Sequence, residues 1–154
     1  MNYKIESLCI LETNVDDMNP QIYDYLIDRL FDAGVLDVWI VPIQMKKNRP
    51  AQMLKVLILP AMLESTLEIL FKETPTLGVR VSDISRYSLP RSEKIIETPY
   101  GPVRFKAVII DHQSELRAEY DDCKRIAQQT GQSLRKVMEE VNRLGDTLHS
   151  PPIS

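Results

Sequence analysis

The order of the apolar segments restricts the fold of this chain more than any other feature. Four strand patterns alternate with two helical patterns; the strands cover residues 5–13, 35–45, 53–60 and about 77–84, and the helices cover 20–33 and 61–73. The resulting order, β-α-β-β-α-β, is that of the ferredoxin-like split βαβ motif. We therefore predict an α+β fold that begins with a ferredoxin-like unit.

Two details agree with the strand positions in that motif, where the first and third strands are central and the second is at an edge. Pro42 lies in the second predicted strand and cannot donate a hydrogen bond to a ladder, which indicates an edge. The stretch MLKVLILP, residues 53–60, is almost entirely apolar, as in a central strand. The first helix has Asn19 as a predicted N-cap, Pro20 at its first position and Gly34 just past its end.

The pattern changes after about residue 90. EKIIET and VRFKAVII flank the turn sequence TPYGP and predict a β-hairpin. Helical patterns at 121–129 and 133–143 predict a C-terminal helical hairpin, followed by a frayed tail. We expect three parts: a ferredoxin-like α/β sandwich over residues 1–88, the hairpin with its two helices over 89–145, and the tail over 146–154.

Charge and composition exclude several classes of protein. The 154 residues carry 19 basic and 22 acidic side chains and a net charge of -3, which gives no bulk attraction to nucleic acid or to an anionic membrane. No apolar run approaches the roughly 20 residues of a membrane helix, and the N-terminus lacks the order of a signal peptide, so we expect a cytoplasmic protein. Cys9 and Cys123 form no CxxC pair, and His112 and His149 are isolated, so neither a disulfide framework nor an imidazole-rich metal site is expected.

Oxygen ligands and cations are predicted to meet at one edge of the first sheet. Asn14, Asp16 and Asp17 follow strand one, and KKNRP, residues 46–50, joins strands two and three, so the two segments should lie on the order of 5 to 10 Å apart. Carboxylate and amide oxygens suit Mg²⁺ or Mn²⁺. The hairpin cations, which suit phosphate oxygens, are Lys46, Lys47 and Arg49. Together they predict a metal-assisted nucleotide site.

A structural interpretation of the same residues stays open. Acidic side chains before a helix stabilise its positive end by about 0.3 to 1 kcal/mol, and charged hairpins keep edge strands from pairing. A second basic group comprises Arg86, Arg91, Arg104 and Lys106. Two of these, Arg104 and Lys106, share a strand face that could equally be a solvated surface. Likewise Glu119 and Asp121, in the acidic sequence EYDD, either cap a helix or bind a metal ion.

Two functions without catalysis are compatible with the sequence. A ferredoxin-like module can act in regulation or oligomerisation, binding ligand between the sheets of neighbouring subunits. Exposed edges at Pro42 and in the hairpin also make a homo-oligomer plausible. The spacing of Ala127, Gly131 and Val137 fits a helix-turn-helix, but the candidate second helix is mixed in charge and lacks a phosphate-binding footprint. DNA binding is therefore the weakest of these hypotheses.

Several uncommon strings resemble a known family. ETNVDDMNPQ, PIQMKKNRP, TLGVRVSDISRYSLPR, YGPVRFK and AEYDDCKRIA are similar to the C-terminal half of LarC, the pyridinium-bisthiocarboxylic acid mononucleotide nickel insertion protein of lactate racemase cofactor maturation. The resemblance extends essentially over residues 6–145. It implies a CTP-dependent cyclometallase, a lyase, that inserts nickel into that mononucleotide and so completes the nickel pincer nucleotide cofactor.

The resemblance also implies roles for individual residues, although it leaves the catalytic residues unassigned. Asp16 and Asp17 become ligands of the Mg²⁺ or Mn²⁺ ion that accompanies CTP. The residues expected to contact the triphosphate are Lys46, Lys47, Arg49, Arg86 and Arg91. Further candidates for the site are Arg104, Lys106 and Glu119. The ion and the cations would offset charge on the phosphates and on the leaving pyrophosphate.

One departure from the family limits what this chain is expected to do alone. Complete members are much longer, and their preceding half carries a histidine-rich segment without a counterpart here. We therefore expect the chain to correspond to the C-terminal part or to a separately encoded subunit. Nickel would be handled by the N-terminal half, which joins CTP and the pyridinium mononucleotide among the expected partners.

Overall fold

The structure is a computed structural model that describes residues 3–110 and 113–149. The chain divides into two compact units, one formed by residues 5–87 and the other by the described residues from 88 onward with Tyr3 and Lys4. His112, the side chain of His149 and residues 150–154 lie outside the described part, and with them most of the predicted tail. No helix in the described part is long and apolar enough to cross a membrane.

The first unit contains the predicted alternation of strands and helices. Its elements are β1 (Lys4–Val15), α1 (Gln21–Asp32), β2 (Asp37–Met45), a 3₁₀ turn (Lys46–Asn48), β3 (Arg49–Ile58), a second 3₁₀ turn (Pro60–Met62), α2 (Leu63–Glu73) and β4 (Arg80–Ser88). The strands lie in the order β2-β3-β1-β4, so β1 and β3 are central and Pro42 lies on an edge strand. The predicted α+β class is confirmed.

The register of the strands places one face of this sheet against the helices. Leu11 is paired with Val56, which is paired with Val38 on β2. These side chains share a hydrophobic cluster with Leu26 of α1 and Leu70 of α2. Because side chains alternate along a strand, every second residue of β1, β2 and β3 belongs to this helix-covered face.

Helix α1 is bounded without any contribution from Asp16 or Asp17. Asn19 Oδ1 accepts a hydrogen bond from the backbone N–H of Gln21 at 3.0 Å, which satisfies one of the free donors of the first turn. At the other end Gly34 has φ +92°, a conformation that favours glycine. The two aspartates are therefore not needed as the N-cap.

The second unit has a larger sheet than the sequence predicts. Its elements are β5 (Arg91–Thr98), β6 (Gly101–Ile110), β7 (Gln113–Ala118), α3 (Tyr120–Thr130) and α4 (Leu134–His149). The predicted hairpin is present as β5 and β6, but β7 pairs with β6 to extend it into a sheet of order β5-β6-β7. This strand was missed because QSELRA is short and largely polar, with Leu116 as its buried apolar residue.

Helix α4 extends beyond its predicted end. The prediction of a frayed tail from residue 146 is wrong for 146–149, which are helical. Val137 and Val141 of this helix are buried with Phe105 of β6. The next turn of α4 lies close to β6 because Gly145 has no side chain: a Cβ at this position would lie 2.5 Å from Phe105 Cε1. The helical hairpin thus packs on the second sheet.

Candidate functional site

The end of β1 and the hairpin between β2 and β3 meet at one end of the first sheet. Arg49 Nη1 lies 3.3 Å from Asp16 Oδ2. The Asp16 side chain is 23% exposed and that of Arg49 is 58% exposed, so the pair lies at the solvent boundary. The expected proximity of the carboxylate to the basic hairpin is therefore present. Such an exposed pair is held weakly and can exchange partners with a ligand.

The hairpin itself adopts an unusual backbone conformation. Lys47 has φ +60° and Asn48 has φ +57°, both in the left-handed region of backbone conformation that residues other than glycine rarely occupy. Asn48 Oδ1 accepts a hydrogen bond from Gln44 Nε2 at 2.9 Å, which fixes the turn. Lys46 and Lys47 are both accessible to solvent, and neither forms an ion pair among the residues that the structure describes. The turn thus places two exposed lysines within three residues of Arg49, the partner of Asp16.

Asn14 is already engaged by a cation that sequence reasoning missed. Its Oδ1 accepts a hydrogen bond from Arg80 Nη2 at 2.9 Å. The sequence contained a signal for this contact, because the predicted fourth strand begins at the same end of the sheet at which the first strand ends. Thr13, one residue before, is buried and donates to the Gly78 carbonyl oxygen at 3.0 Å. This contact holds the start of β4 beside Asn14.

Asp17 lies close enough to affect Tyr23 of α1. Burial of the Tyr23 hydroxyl, and secondarily the negative charge of Asp17, raise the pKa of that tyrosine above its usual value. Tyr23 therefore keeps its proton at neutral pH and remains a hydrogen-bond donor. Asp17 and Asp16 together give this sheet end two carboxylates.

A cavity of about 320 Å³ opens at the same place. Most of its wall is apolar and comes from Val15, Met18, Tyr23 and Ile40, and Asp16 is among its lining residues. Val15 and Ile40 belong to the helix-covered face of the sheet, so the cavity lies between this face and the start of α1. A partly apolar cavity next to charged groups is the usual form of a small-molecule site.

Arg86 lies far from this site. Its Nε and Nη2 atoms both donate to Glu6 Oε2, at 3.1 and 3.0 Å. Glu6 and Asn14 are eight residues apart on β1, which corresponds to about 26 Å along the strand. The structure therefore does not bring Arg86 together with Asp16 and the hairpin.

The second unit holds the other predicted cations. Arg91, Lys106 and Glu119 line a cavity of about 290 Å³ together with Ser92 and Glu93. Lys106 Nζ is 2.9 Å from Glu119 Oε1, and both side chains are partly exposed. This cavity has balanced charge, with two cations and two carboxylates, so its net attraction for an anion is smaller than that of the hairpin.

Arg104 is part of a structural network around Asp122. Asp122 Oδ2 accepts hydrogen bonds from the backbone N–H of Arg104 at 3.0 Å and from its Nε at 2.9 Å, and Oδ1 lies 3.3 Å from Arg125 Nη2. The hydrogen bond from the Arg104 side chain is the main reason that the pKa of Asp122 is below its usual value. By contrast Asp121, the predicted candidate, is exposed. Sequence reasoning missed Asp122 because burial of the second aspartate is not visible in EYDD.

The cysteines do not form a site. Cys9 and Cys123 are both buried and unpaired. The pKa of Cys9 is raised by its hydrogen bond to Asp83 and by burial, and that of Cys123 mainly by burial, so both remain thiols. Within the described residues no group of three or more histidine, cysteine, aspartate or glutamate side chains is arranged to hold a metal ion.

Comparisons of the sequence with known proteins find relatives that match most of this chain. The family model described as nickel insertion protein matches residues 1–138. The pyridinium-3,5-bisthiocarboxylic acid mononucleotide nickel insertion protein of Desulfitobacterium hafniense is 46% identical over 132 residues, which cover 85% of this chain and 33% of that protein. Its namesake in Acetivibrio thermocellus is 41% identical over 138 residues, covering 90% and 34%. The chain thus spans about a third of the length of these relatives.

Two solved structures have the same fold. One is LarC2 in its apo form, the C-terminal domain of a cyclometallase involved in the synthesis of the NPN cofactor of lactate racemase, with a TM-score of 0.82 and 33% identity over 88% of this chain and 94% of that one. The other is protein MK0293 of Methanopyrus kandleri AV19, with a TM-score of 0.65 and 27% identity, covering 90% and 88%. By its sequence and by its fold, the chain belongs to the nickel insertion protein family.

Proposed function

We propose that this chain is the CTP- and divalent-metal-binding part of a nickel insertase, a cyclometallase of the lyase class that completes the nickel pincer nucleotide cofactor of lactate racemase. Membership of the nickel insertion protein family supports this function, as does the likeness to LarC2, the C-terminal domain of a cyclometallase involved in the synthesis of the NPN cofactor of lactate racemase. The relatives are about three times as long as the matched region. Nickel, as the cargo, would therefore be delivered with the N-terminal half, and the pyridinium bisthiocarboxylate mononucleotide would be the acceptor.

The contact between Asp16 and Arg49 is the observation that carries the proposal. It holds a carboxylate at 3.3 Å from a guanidinium, on a hairpin whose next cations are Lys46 and Lys47. A triphosphate needs cationic donors for its oxygens, and its divalent ion needs one or two carboxylates. Both kinds of group are available at one exposed sheet end.

The residues at this end fit Mg²⁺ or Mn²⁺. Asp16 and Asp17 offer hard carboxylate oxygens, whereas Asn14 Oδ1 is occupied by Arg80 and is the weaker candidate. The bound ion would neutralise phosphate charge. Arg49 would then move its hydrogen bonds from Asp16 to a phosphate oxygen, while Lys46 and Lys47 hold the remaining oxygens as point charges.

Further parts of the hypothesis each rest on an observation of their own. The strand order β2-β3-β1-β4 supports a ferredoxin-like fold for residues 1–88. Arg91 and Lys106 are candidates for contact with a second phosphate group, because they line a cavity of their own, where Glu119 would orient Lys106. Edge strands β2 and β4 support a homo-oligomer. We also propose a cytoplasmic location, in keeping with the acidic composition and reduced cysteines.

Calorimetric titration tests the proposed site directly. CTP, ATP and GTP are titrated into the 154-residue chain with Mg²⁺ or Mn²⁺ and again with a chelator. We expect CTP to bind in the presence of the ion. Lys46→Ala should weaken this binding about tenfold, because a charge-assisted hydrogen bond is lost. The matched control is Lys124→Ala, which removes an exposed lysine of the second unit and should leave the affinity unchanged.

Titrations with and without the divalent ion distinguish the role of Asp16 from that of the lysines and Arg49. Asp16→Ala should weaken CTP binding when Mg²⁺ is present, because a metal ligand is lost. Without the ion the same substitution should leave binding equal or stronger, because a carboxylate that repels the triphosphate is gone. Asp28→Ala on α1 is the control for loss of one exposed carboxylate. If the wild type binds none of the three nucleotides, the proposed function is wrong.

A further inference from the structure

Arg80, at the start of β4, differs from the other arginines of the first sheet in its partner. Arg49 and Arg86 each contact a carboxylate, at 3.3 and 3.0 Å. The partner of Arg80 is instead a neutral amide, since its Nη2 atom lies 2.9 Å from Asn14 Oδ1. Among the described residues no carboxylate lies within ion-pair distance of this guanidinium group. The positive charge of Arg80 is therefore available to an anion from outside the chain.

The contact with Arg80 fixes the orientation of the Asn14 amide. A guanidinium group has only hydrogen-bond donors, so the atom that faces it is the amide oxygen and not the amide nitrogen. The Nδ2 group then faces away from Arg80, and it has no acceptor within the part of the chain that the structure describes. Asn14 and Arg80 together present N–H donors only. Such a pair suits an oxyanion and does not suit Mg²⁺, which needs oxygen ligands.

The Asn14 side chain lies on the face of the first sheet that is opposite to the helices. Val15, the next residue of β1, belongs to the helix-covered face and lines the cavity beside Asp16, and side chains alternate along a strand. Asp16 follows two residues after Asn14, which corresponds to about 7 Å along an extended chain. A group bound by Asn14 and Arg80 would therefore lie next to the proposed divalent ion without entering the cavity.

The backbone that carries Arg80 is held in place before any ligand binds. The hydroxyl groups of Thr13 and Thr76 both lie 3.0 Å from the carbonyl oxygen of Gly78, two residues before Arg80. Thr13 is buried, so this contact fixes the start of β4 against β1. A side chain positioned in this way loses less conformational entropy when it binds a ligand.

The proposed reaction has two substrates that carry phosphate. The first is CTP, for which the hairpin cations and the divalent ion are proposed. The second is the pyridinium mononucleotide, which carries one phosphate monoester with acceptor oxygens and up to two negative charges. Several donors without a metal ligand suit a monoester better than a metal-bound triphosphate. In the second unit Lys106 is less available for this role, because its Nζ atom lies 2.9 Å from Glu119 Oε1.

We infer that Asn14 and Arg80 bind the phosphate monoester of the acceptor mononucleotide, beside the CTP site and on the opposite face of the sheet from the cavity. The inference rests on the proposed function, which supplies the acceptor. It changes the role of Asn14 from a ligand of the metal ion to a hydrogen-bond donor to phosphate.

Two probes that differ by one phosphate test this site: nicotinic acid mononucleotide, a pyridinium nucleotide, and nicotinic acid riboside. Each is titrated calorimetrically into the chain saturated with Mg²⁺ and α,β-methylene-CTP, which resists cleavage between its first two phosphates. The mononucleotide should bind about tenfold more tightly than the riboside. Arg80→Gln should abolish this difference, while the affinity for the CTP analogue stays within twofold. Arg143→Gln, which removes an exposed arginine of α4, is the matched control and should leave both affinities unchanged.

A second variant distinguishes a phosphate donor from a metal ligand. Asn14→Asp replaces the Nδ2 donors by a carboxylate oxygen, which repels phosphate, pairs with Arg80 and is a better ligand for Mg²⁺. We expect the affinity for the mononucleotide to fall about tenfold, and the affinity for the CTP analogue with Mg²⁺ not to rise. Tighter Mg²⁺-dependent binding of the CTP analogue by Asn14→Asp would assign Asn14 to the metal ion and overturn the inference.

NMR of the wild type provides a measurement that needs no folded variant. The side-chain Nε–H signal of Arg80 should shift when the mononucleotide is added and much less when the riboside is added. A purely structural contact between Arg80 and Asn14 would respond equally to the two probes.

The outcomes distinguish this inference from the proposed function. If the wild type binds the CTP analogue but binds the mononucleotide no better than the riboside, or binds neither, the acceptor site is wrong and the CTP site stands. Equal losses of mononucleotide and CTP analogue in Arg80→Gln would assign Arg80 to the triphosphate, which also overturns the inference. If the wild type does not bind the CTP analogue with Mg²⁺ or Mn²⁺, the proposed function is wrong and the acceptor site falls with it.

Discussion

Asp16 in the first unit and Asp122 in the second carry the same side chain and both contact arginine, but their surroundings differ. The Asp122 side chain is 12% exposed, and its two oxygens accept hydrogen bonds from the backbone of Arg104 and from two guanidinium groups. Within the described part of the chain, the ion pair of Asp16 is with the largely exposed Arg49. A carboxylate whose acceptor sites are filled by its own chain contributes to stability. A carboxylate beside a cavity whose oxygens can still accept further hydrogen bonds can bind a ligand.

The largest expected effect is the loss of the Asp122 network. Asp122→Ala should lower the free energy of unfolding by about 2 kcal/mol, because charge-assisted hydrogen bonds are lost and the backbone N–H of Arg104 is left without its acceptor. Urea denaturation measures this change. Asp121→Ala next to it removes an exposed carboxylate and should change stability by less than about 0.5 kcal/mol. Equal losses in the two variants would show that the network is not structural.

The same network predicts a dependence of stability on acid. The pKa of Asp122 in the folded state lies below the ordinary value of 3.8, so its contribution to stability is complete above about pH 4 and is lost as the pH falls through the folded-state pKa. The difference in unfolding free energy between the wild type and Asp122→Asn should therefore be constant from pH 5 to 7 and shrink below about pH 4. A difference that grows in acid would contradict the lowered pKa.

The sequence predicted much of the first unit because its signals are local. Strand and helix periods, Asn19, Pro42 and Gly34 each report on a few neighbouring residues, and the element order then places Asp16 near the hairpin. The sequence did not predict features that depend on a side chain distant along the chain. Arg80 of β4 donates to Asn14 on the neighbouring strand, and Gln52 Oε1 has no hydrogen-bond partner among the described residues, which the local sequence does not reveal.

In the second unit the sequence did not predict β7 or the end of α4, for the same reason. The residues of β7 are too polar to show an alternating pattern, and they form a strand because β6 offers a free edge. The end of α4 depends on Gly145 fitting against Phe105, forty residues earlier in the chain. Long-range packing of this kind overrides local propensity.

A smaller effect of opposite sign is expected at the hairpin of the first unit. Lys47→Gly should raise the free energy of unfolding by about 0.5 to 1 kcal/mol, because glycine relieves the left-handed conformation at φ +60°. It should also weaken CTP binding, because an ammonium group is lost. Lys46→Gly removes the same charge from a position without that conformation and should not stabilise the protein. Destabilisation by Lys47→Gly would show that the lysine side chain itself stabilises the turn, in addition to the hydrogen bond between Gln44 and Asn48.

The smallest change in stability should come from Asp16→Asn, although this is the aspartate proposed to bind the ion. Its pair with Arg49 is exposed on the arginine side, and such pairs contribute less than about 0.5 kcal/mol. Unfolding in urea should therefore give almost the same midpoint as the wild type, while titration with CTP and Mg²⁺ shows a loss of affinity. Asp122→Asn should behave in the opposite way, losing stability and keeping the affinity of the first unit for CTP. If instead Asp16→Asn lowers stability as much as Asp122→Asn does, then Asp16 is a structural residue and the distinction between the two carboxylates fails.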